Sequence, residues 1–181
     1  DQAIFPSDYF FTIISLILVN RTVINFTIAL CHKTSGTMSF YMYLTSDDSK
    51  HLFSNNKFYD FVVEMPREYS FGNCRNWTFA LVDLYAWRVD KLTPFILDEK
   101  VSRSFTLLCD LATESYISGR EAPVLRVLPA GDEQIGASLA IPYYVAVTKS
   151  KVNRIRISLK KEDLRDVTVA DWTDPDQVKL G

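Results

Sequence analysis

The stretch RSFTLLCDLATESYISGREAPVLRVL, residues 103–128, decides the fold class. Phe105, Leu107, Cys109 and Leu111 fall on one face; Ser104, Thr106 and Asp110 fall on the other, with Leu108 as the exception. A period of two predicts a half-buried β-strand. A polar segment, residues 113–121, follows and carries Ser118-Gly119, a turn signal. Pro123 then opens a second short run, Val124-Leu125-Arg126-Val127-Leu128, closed by Pro129 and Gly131. Proline fits the first position of a strand, where its missing N–H costs least. The stretch is therefore strand, structured loop, strand.

The same pattern recurs along the chain. Residues 39–45 alternate Phe40, Met42 and Leu44 against Ser39, Tyr41 and Tyr43. Residues 46–57 are polar and turn-rich. Residues 59–65 alternate Tyr59, Phe61, Val63 and Met65 against Asp60, Val62 and Glu64, and Pro66 is expected to end that strand. In residues 76–87, Trp77, Phe79, Leu81 and Tyr85 line one face, and Ala80, Val82, Leu84 and Ala86 the other. Apolar residues on both faces predict a strand covered on both sides. Residues 141–148 are a further candidate. Residues 153–159 are the cleanest, with Ile155, Ile157 and Leu159 inward and Arg154, Arg156 and Ser158 outward. Eight short strands with almost no helical period predict an all-β sandwich. Long connections suit an eight-stranded, two-sheet jelly roll, but the period alone does not separate it from an immunoglobulin-like topology; there is no Cys…Trp…Cys pattern of a true immunoglobulin domain.

Several short motifs along this series carry a resemblance. They are Phe40-Tyr41-Met42-Tyr43-Leu44-Thr45-Ser46, Phe53-Ser54-Asn55-Asn56, Phe61-Val62-Val63-Glu64-Met65-Pro66, Trp77-Thr78-Phe79-Ala80-Leu81 and Cys109-Asp110. Ile117-Ser118-Gly119, Pro123 to Leu128, Pro142-Tyr143-Tyr144-Val145-Ala146-Val147 and Ile155-Arg156-Ile157-Ser158-Leu159 complete them. In this order they resemble the minor capsid (penton-like) proteins of Polinton/Maverick elements and the related adintoviruses. Ser118 is a departure, since the family has Gly directly after Ile or Val. The resemblance covers residue 38 to about residue 178. It implies a single jelly roll, a homopentamer, a major capsid protein as neighbour, and a place in the virion, assembled inside the host cell.

Residues 1–37 lie outside the resemblance. The first residue is Asp1, so a processed or truncated chain is expected. Residues 9–19 are strongly apolar, and Asn20-Arg21-Thr22 interrupts before a second apolar run. The first run is too short to span a bilayer, and the joined span carries Arg21 near its middle. Asp1 and Asp8 precede the run, where a secretory signal places basic residues. The expectation is an N-terminal arm, residues 1–37, packed on a neighbouring subunit, ahead of a sandwich domain over residues 38–181.

The chain of 181 residues has a net charge of −2 and 48% apolar residues, which permits a real core and gives no electrostatic case for wholesale nucleic-acid binding. Its three cysteines, Cys31, Cys74 and Cys109, fit neither a disulfide framework nor a zinc pattern, which favours a reducing place of folding. Ser46, Asp47, Asp48 and His51 bring nucleophile, acid and base types close in sequence, but a Ser- and Asp-rich turn accounts for them. Cys31-His32 has no second metal-binding pair, and Asp171, Asp174 and Asp176 lack the glycine and distal glutamate of a calcium loop. The basic run Lys149, Lys151, Arg154, Arg156, Lys160 and Lys161 is the candidate for nucleic-acid contact, against the reading of a charged outward strand face.

No catalytic residue, cofactor, metal or small-molecule substrate is therefore expected. The candidate subunit interface is Tyr41, Tyr43, Tyr85, Trp87, Tyr143 and Tyr144, because aromatic residues are enriched in interface cores. The alternative reading is a β-sandwich module that holds a glycan or peptide.

Overall fold

The computed structural model describes residues 22–32, 39–88, 96–97, 102–130, 141–167 and 172–173. Twelve strands occur among them: β1 (Thr22–His32), β2 (Ser39–Thr45), β3 (Asp60–Ser70), β4 (Trp77–Arg88), β5 (Ile96–Leu97), β6 (Ser104–Cys109), β7 (Ser115–Ile117), β8 (Arg120–Ala122), β9 (Val124–Pro129), β10 (Val145–Ala146), β11 (Lys151–Lys161) and β12 (Trp172–Thr173). The helical content among the described residues is one 3-10 turn, Cys74–Asn76. Two four-stranded antiparallel sheets carry the fold, the first in the order β10-β4-β1-β2 and the second in the order β3-β11-β6-β9. The short pairs β5–β12 and β7–β8 are separate from both. The chain is thus all-β and sandwich-like.

Each sheet sends its alternate side chains into one shared core. From the first come Ile28, Leu30, Met42, Leu44, Phe79 and Leu81; from the second come Phe61, Val63, Phe105, Leu107, Leu125, Ile155 and Ile157. Phe40, Phe71 and Trp77 close one end of this core with ring centroids 5.4–6.5 Å apart. Such aromatic contacts add to the burial of the rings themselves.

Four details differ from the sequence reading, each for a local reason. β3 runs through Pro66 to Ser70, because the register against β11 jumps from Glu64↔Arg154 to Tyr69↔Val152 and leaves Pro66 where no ladder N–H is needed. In β4 the register against β1 shifts between Thr27 and Ile28, from Asp83 to Leu81. Val82 is the extra residue, so Leu84 turns onto the Phe79 and Leu81 face and is buried. Of residues 141–148 only Val145 and Ala146 form a strand, after Pro142. Ser158 faces outward as expected but is buried there, beneath its hydrogen bond to Asp60 at 3.0 Å.

The largest correction concerns residues 1–37. Thr22–His32 is no arm outside the sandwich: it is a central strand of the first sheet. It pairs with β2 from Asn25↔Thr45 to Cys31↔Ser39, and with β4 from Thr22↔Arg88 to His32↔Trp77. Ile28 and Leu30 are 0% exposed. The boundary between residues 37 and 38 therefore cuts through a paired hairpin. Residues 1–21, with the apolar run 9–19, and residues 33–38 lie outside the described residues. No helix among the described residues is long and apolar enough to cross a membrane.

The polar segment after β6 forms the hairpin β7–β8. Its turn is Ser118-Gly119, with φ of 51° and 84°. Two successive positive φ values suit the strand twist of a two-residue hairpin. The Ser118 hydroxyl donates to the Glu162 carbonyl at 2.6 Å, which ties this hairpin to the end of β11.

Candidate functional site

The outer face of the first sheet is built from small residues and tyrosines. Ala29 and Ala80 sit opposite one another on β1 and β4, between the inward residues Ile28, Leu30, Phe79 and Leu81. Tyr41 lies opposite Ala29 on the other side. The small alanine side chains make a low floor. Tyr144, one residue before β10, reaches across β4 to Cys31 on β1 and comes near Tyr41. Its hydrogen bond with the Cys31 thiol, then partial burial and the neighbouring Tyr41 phenol, push the Tyr144 phenol above its ordinary pKa. Tyr41 and Tyr43 remain 68% and 62% exposed, so both rings stand free for contact.

Two of the six expected interface residues thus come together, Tyr41 and Tyr144, and Tyr43 follows Tyr41 two positions along the same strand. Tyr143 belongs elsewhere. It lines a cleft of about 510 Å³ with Ser115, Tyr116, Ile117 and the β9 residues 124–127. Tyr85 and Trp87 lie on β4 opposite Asn25 and Val23, and their side chains fall outside the described residues. Tyr116 and Val127, 78% and 44% exposed, were missed by sequence reasoning. Tyr116 sat in a segment read as a polar loop; Val127 sat in a strand whose outward face had no second apolar neighbour to mark it.

The second sheet presents the opposite character. On its outer face Lys151 pairs with Glu68 at 3.1 Å, Arg154 with Glu64 at 3.3 Å, and Arg156 with Asp60 at 2.8 Å. Lys160 pairs with Asp166, and Lys149 with Asp110. Five members of the basic run therefore face carboxylates. That neutralises the local field on which phosphate attraction depends. The run behaves as a charged strand face whose partners come from β3 and the flanking turns.

Asp60 is the hub of this face. It takes a bidentate grip from Arg156 at 3.0 and 2.8 Å and a hydrogen bond from Ser158. Partial burial works to raise its pKa, but the hydrogen bonds and charges of Arg156, Ser158 and Lys160 outweigh it and hold the carboxyl below its ordinary value. A depressed folded-state pKa contributes stability above the unfolded value, and loses it as pH falls through the folded one. Arg156→Gln is therefore expected to cost about 1 kcal/mol or less at pH 7, since Arg156 is largely exposed. That difference should shrink as pH drops below about 4, the ordinary carboxylate range. Urea unfolding of both proteins at pH 7, 4 and 3 measures it; a constant difference would remove Asp60 from the account.

The turn after β2 engages its polar residues in structure. The Asp48 carboxylate accepts from the Thr45 N–H at 2.9 Å, Asp47 pairs with Lys50, and the Ser49 hydroxyl accepts from the Glu64 N–H at 2.8 Å. Ser46 is buried while His51 is exposed. His32 packs edge-on against Trp77, with ring centroids 5.1 Å apart. Cys109 is fully buried, and burial pushes its thiol up to about 12. It acts as a small apolar side chain. Among the described residues no three His, Cys, Asp or Glu side chains gather in a way that could hold a metal ion. Asp171, Asp174 and Asp176 lie outside the described residues.

No family model, no curated protein and no solved structure matches this chain.

Proposed function

We propose that this chain is a structural shell protein: a single jelly roll, resembling the penton-like minor capsid family, that associates cyclically at the vertices of an icosahedral capsid. The observation that carries the reading is the nesting of strand pairs. β6 pairs with β9; β4 pairs with β10 around them; β3 pairs with β11 around both. A jelly roll is a long antiparallel hairpin rolled into two sheets, and this nesting is its mark. The outermost pair of such a nest joins β2 to a strand following β11. Here β1 lies beside β2 in that place.

The surface chemistry supports an assembling protein over an enzyme. The polar turn residues have structural partners, and the outer tyrosines of the first sheet are the kind of side chain that anchors interfaces. Head-to-tail contacts close into a ring when the rotation per subunit permits, and a vertex calls for five. The neighbours would be the major capsid protein, and the location the virion.

Electron microscopy and light scattering of the purified full chain test the proposal. Pentameric rings, or recovery within particles, support it. The second reading, a glycan- or peptide-binding module, draws on the cleft of about 510 Å³ lined by Tyr116 and Tyr143. A chain that binds sugar or peptide in solution and forms no ring would replace the first reading with the second.

A further inference from the structure

We infer that the free edge of β2 pairs with the β2 edge of a second copy of this chain, antiparallel and centred on Met42. Four strands end the two sheets: β2, β10, β3 and β9. Exposed edges invite pairing with other chains, and proteins guard them with charge, proline, bulges or shortness. β3 carries Pro66, Glu64, Arg67 and Glu68, and a register shift. β9 carries Arg126, follows Pro123 and ends at Pro129. β10 is two residues long. β2, with the sequence SFYMYLT, has no charge, no proline and an unbroken register.

The backbone groups needed for pairing face outward. The Thr45 N–H donates to the Asp48 carboxylate, and the Thr45 carbonyl accepts from the Asp48 N–H, both at 2.9 Å. Thr45 is therefore turned away from β1. Strand alternation turns the N–H and C=O of Tyr43 and Tyr41 the same way. Among the described residues no strand pairs with that side of β2.

The sequence of β2 fits itself when reversed. About Met42, Tyr41 meets Tyr43 of the second copy and Phe40 meets Leu44. In this register Tyr41 and Tyr43 both present outward backbone groups, so the two residues exchange N–H···O bonds. Aromatic pairs are favourable cross-strand neighbours. A self-matching edge makes a two-fold contact, in which each copy uses the same surface. The two first sheets become one sheet of eight strands, and the tyrosine face doubles in width. This contact is separate from a ring contact and goes beyond the proposed function.

Two double variants test the pairing, and both replace the same exposed tyrosines, so both are expected to fold. In Tyr41→Lys/Tyr43→Lys, lysine faces lysine across the axis twice. In Tyr41→Lys/Tyr43→Glu, the introduced lysine faces the introduced glutamate of the second copy. Sedimentation equilibrium of full chains at low ionic strength reads the mass. The native chain and the Lys/Glu variant are expected to associate in twos. The Lys/Lys variant is expected to raise the two-fold dissociation constant at least about tenfold. Equal masses for the two variants, or a native chain with no two-fold step, would overturn the pairing. Rings of five without doubling sink this inference and leave the proposed function standing; doubling without rings does the reverse.

Discussion

Ile157→Asp is expected to abolish folding. Ile157 is 0% exposed at the middle of β11, a central strand of the second sheet. It lies opposite Phe61 on β3 and Cys109 on β6, both fully or almost fully buried. Neither of these neighbours can pair with a carboxylate. An unpaired buried charge costs several kcal/mol after the protein relaxes, against a total stability of roughly 5–15 kcal/mol. Its neighbour supplies the control. Arg156 points to the outer face and is more than half exposed, so Arg156→Gln should keep a cooperative melt. Far-ultraviolet circular dichroism with thermal melting compares them. A cooperative melt of Ile157→Asp close to that of the native chain would show that β11 is assigned to the wrong face.

Removing residues 1–32 is expected to leave no cooperatively folded sheet. β1 is the neighbour of β2 and of β4 alike, and without it β2 has no partner among the described strands. The cut also strips Ile28 and Leu30, both 0% exposed, from the shared core. A single large-to-small change at such a site, Leu30→Ala, costs about 2–5 kcal/mol. Losing the whole strand exceeds the stability of an ordinary domain. The truncated chain should show a broad, non-cooperative thermal transition. A sharp melt at the native temperature would make β1 dispensable and restore the arm that the hydropathy of residues 1–37 suggests.

The sequence made the strands legible where alternation was clean. Ser39–Thr45 and the inward set Ile155, Ile157 and Leu159 appear as the period of two predicts. The Ser118-Gly119 turn signal marks a real hairpin turn. Legibility failed where apolar density masked period. Across Ile28-Ala29-Leu30-Cys31 every residue is apolar, yet only Ile28 and Leu30 join the core cluster; Ala29 faces the tyrosines. It failed again at bulges, which have no composition signature: Val82 redirects Leu84, and the shift at Pro66 lets β3 continue. The candidate surface was half legible. Aromatic residue types could be picked out, but only the fold brings Tyr41 and Tyr144 together over the alanine floor and sends Tyr143 to a different cleft. The carboxylate partners of the basic run were invisible for the same reason, since Asp60 and Glu64 lie far from Arg156 and Arg154 in sequence.

The nested pairs also set an order of assembly in time. Joining β6 to β9 closes the shortest gap, from Cys109 to Val124. Bringing β4 to β10 spans Arg88 to Val145, and β3 to β11 spans Ser70 to Lys151. Closing a long loop costs more entropy, but each inner pair shortens the loop left for the next. The chain should therefore zip outward from β6–β9, while β1 and β2 form a local hairpin that docks as a unit. Substitutions at Leu125 should slow refolding, whereas substitutions at Ile28 should mainly speed unfolding; the reverse in stopped-flow measurements would rule this order out. During synthesis the β1–β2 hairpin emerges before β4, and its apolar face waits for that strand to leave the ribosome.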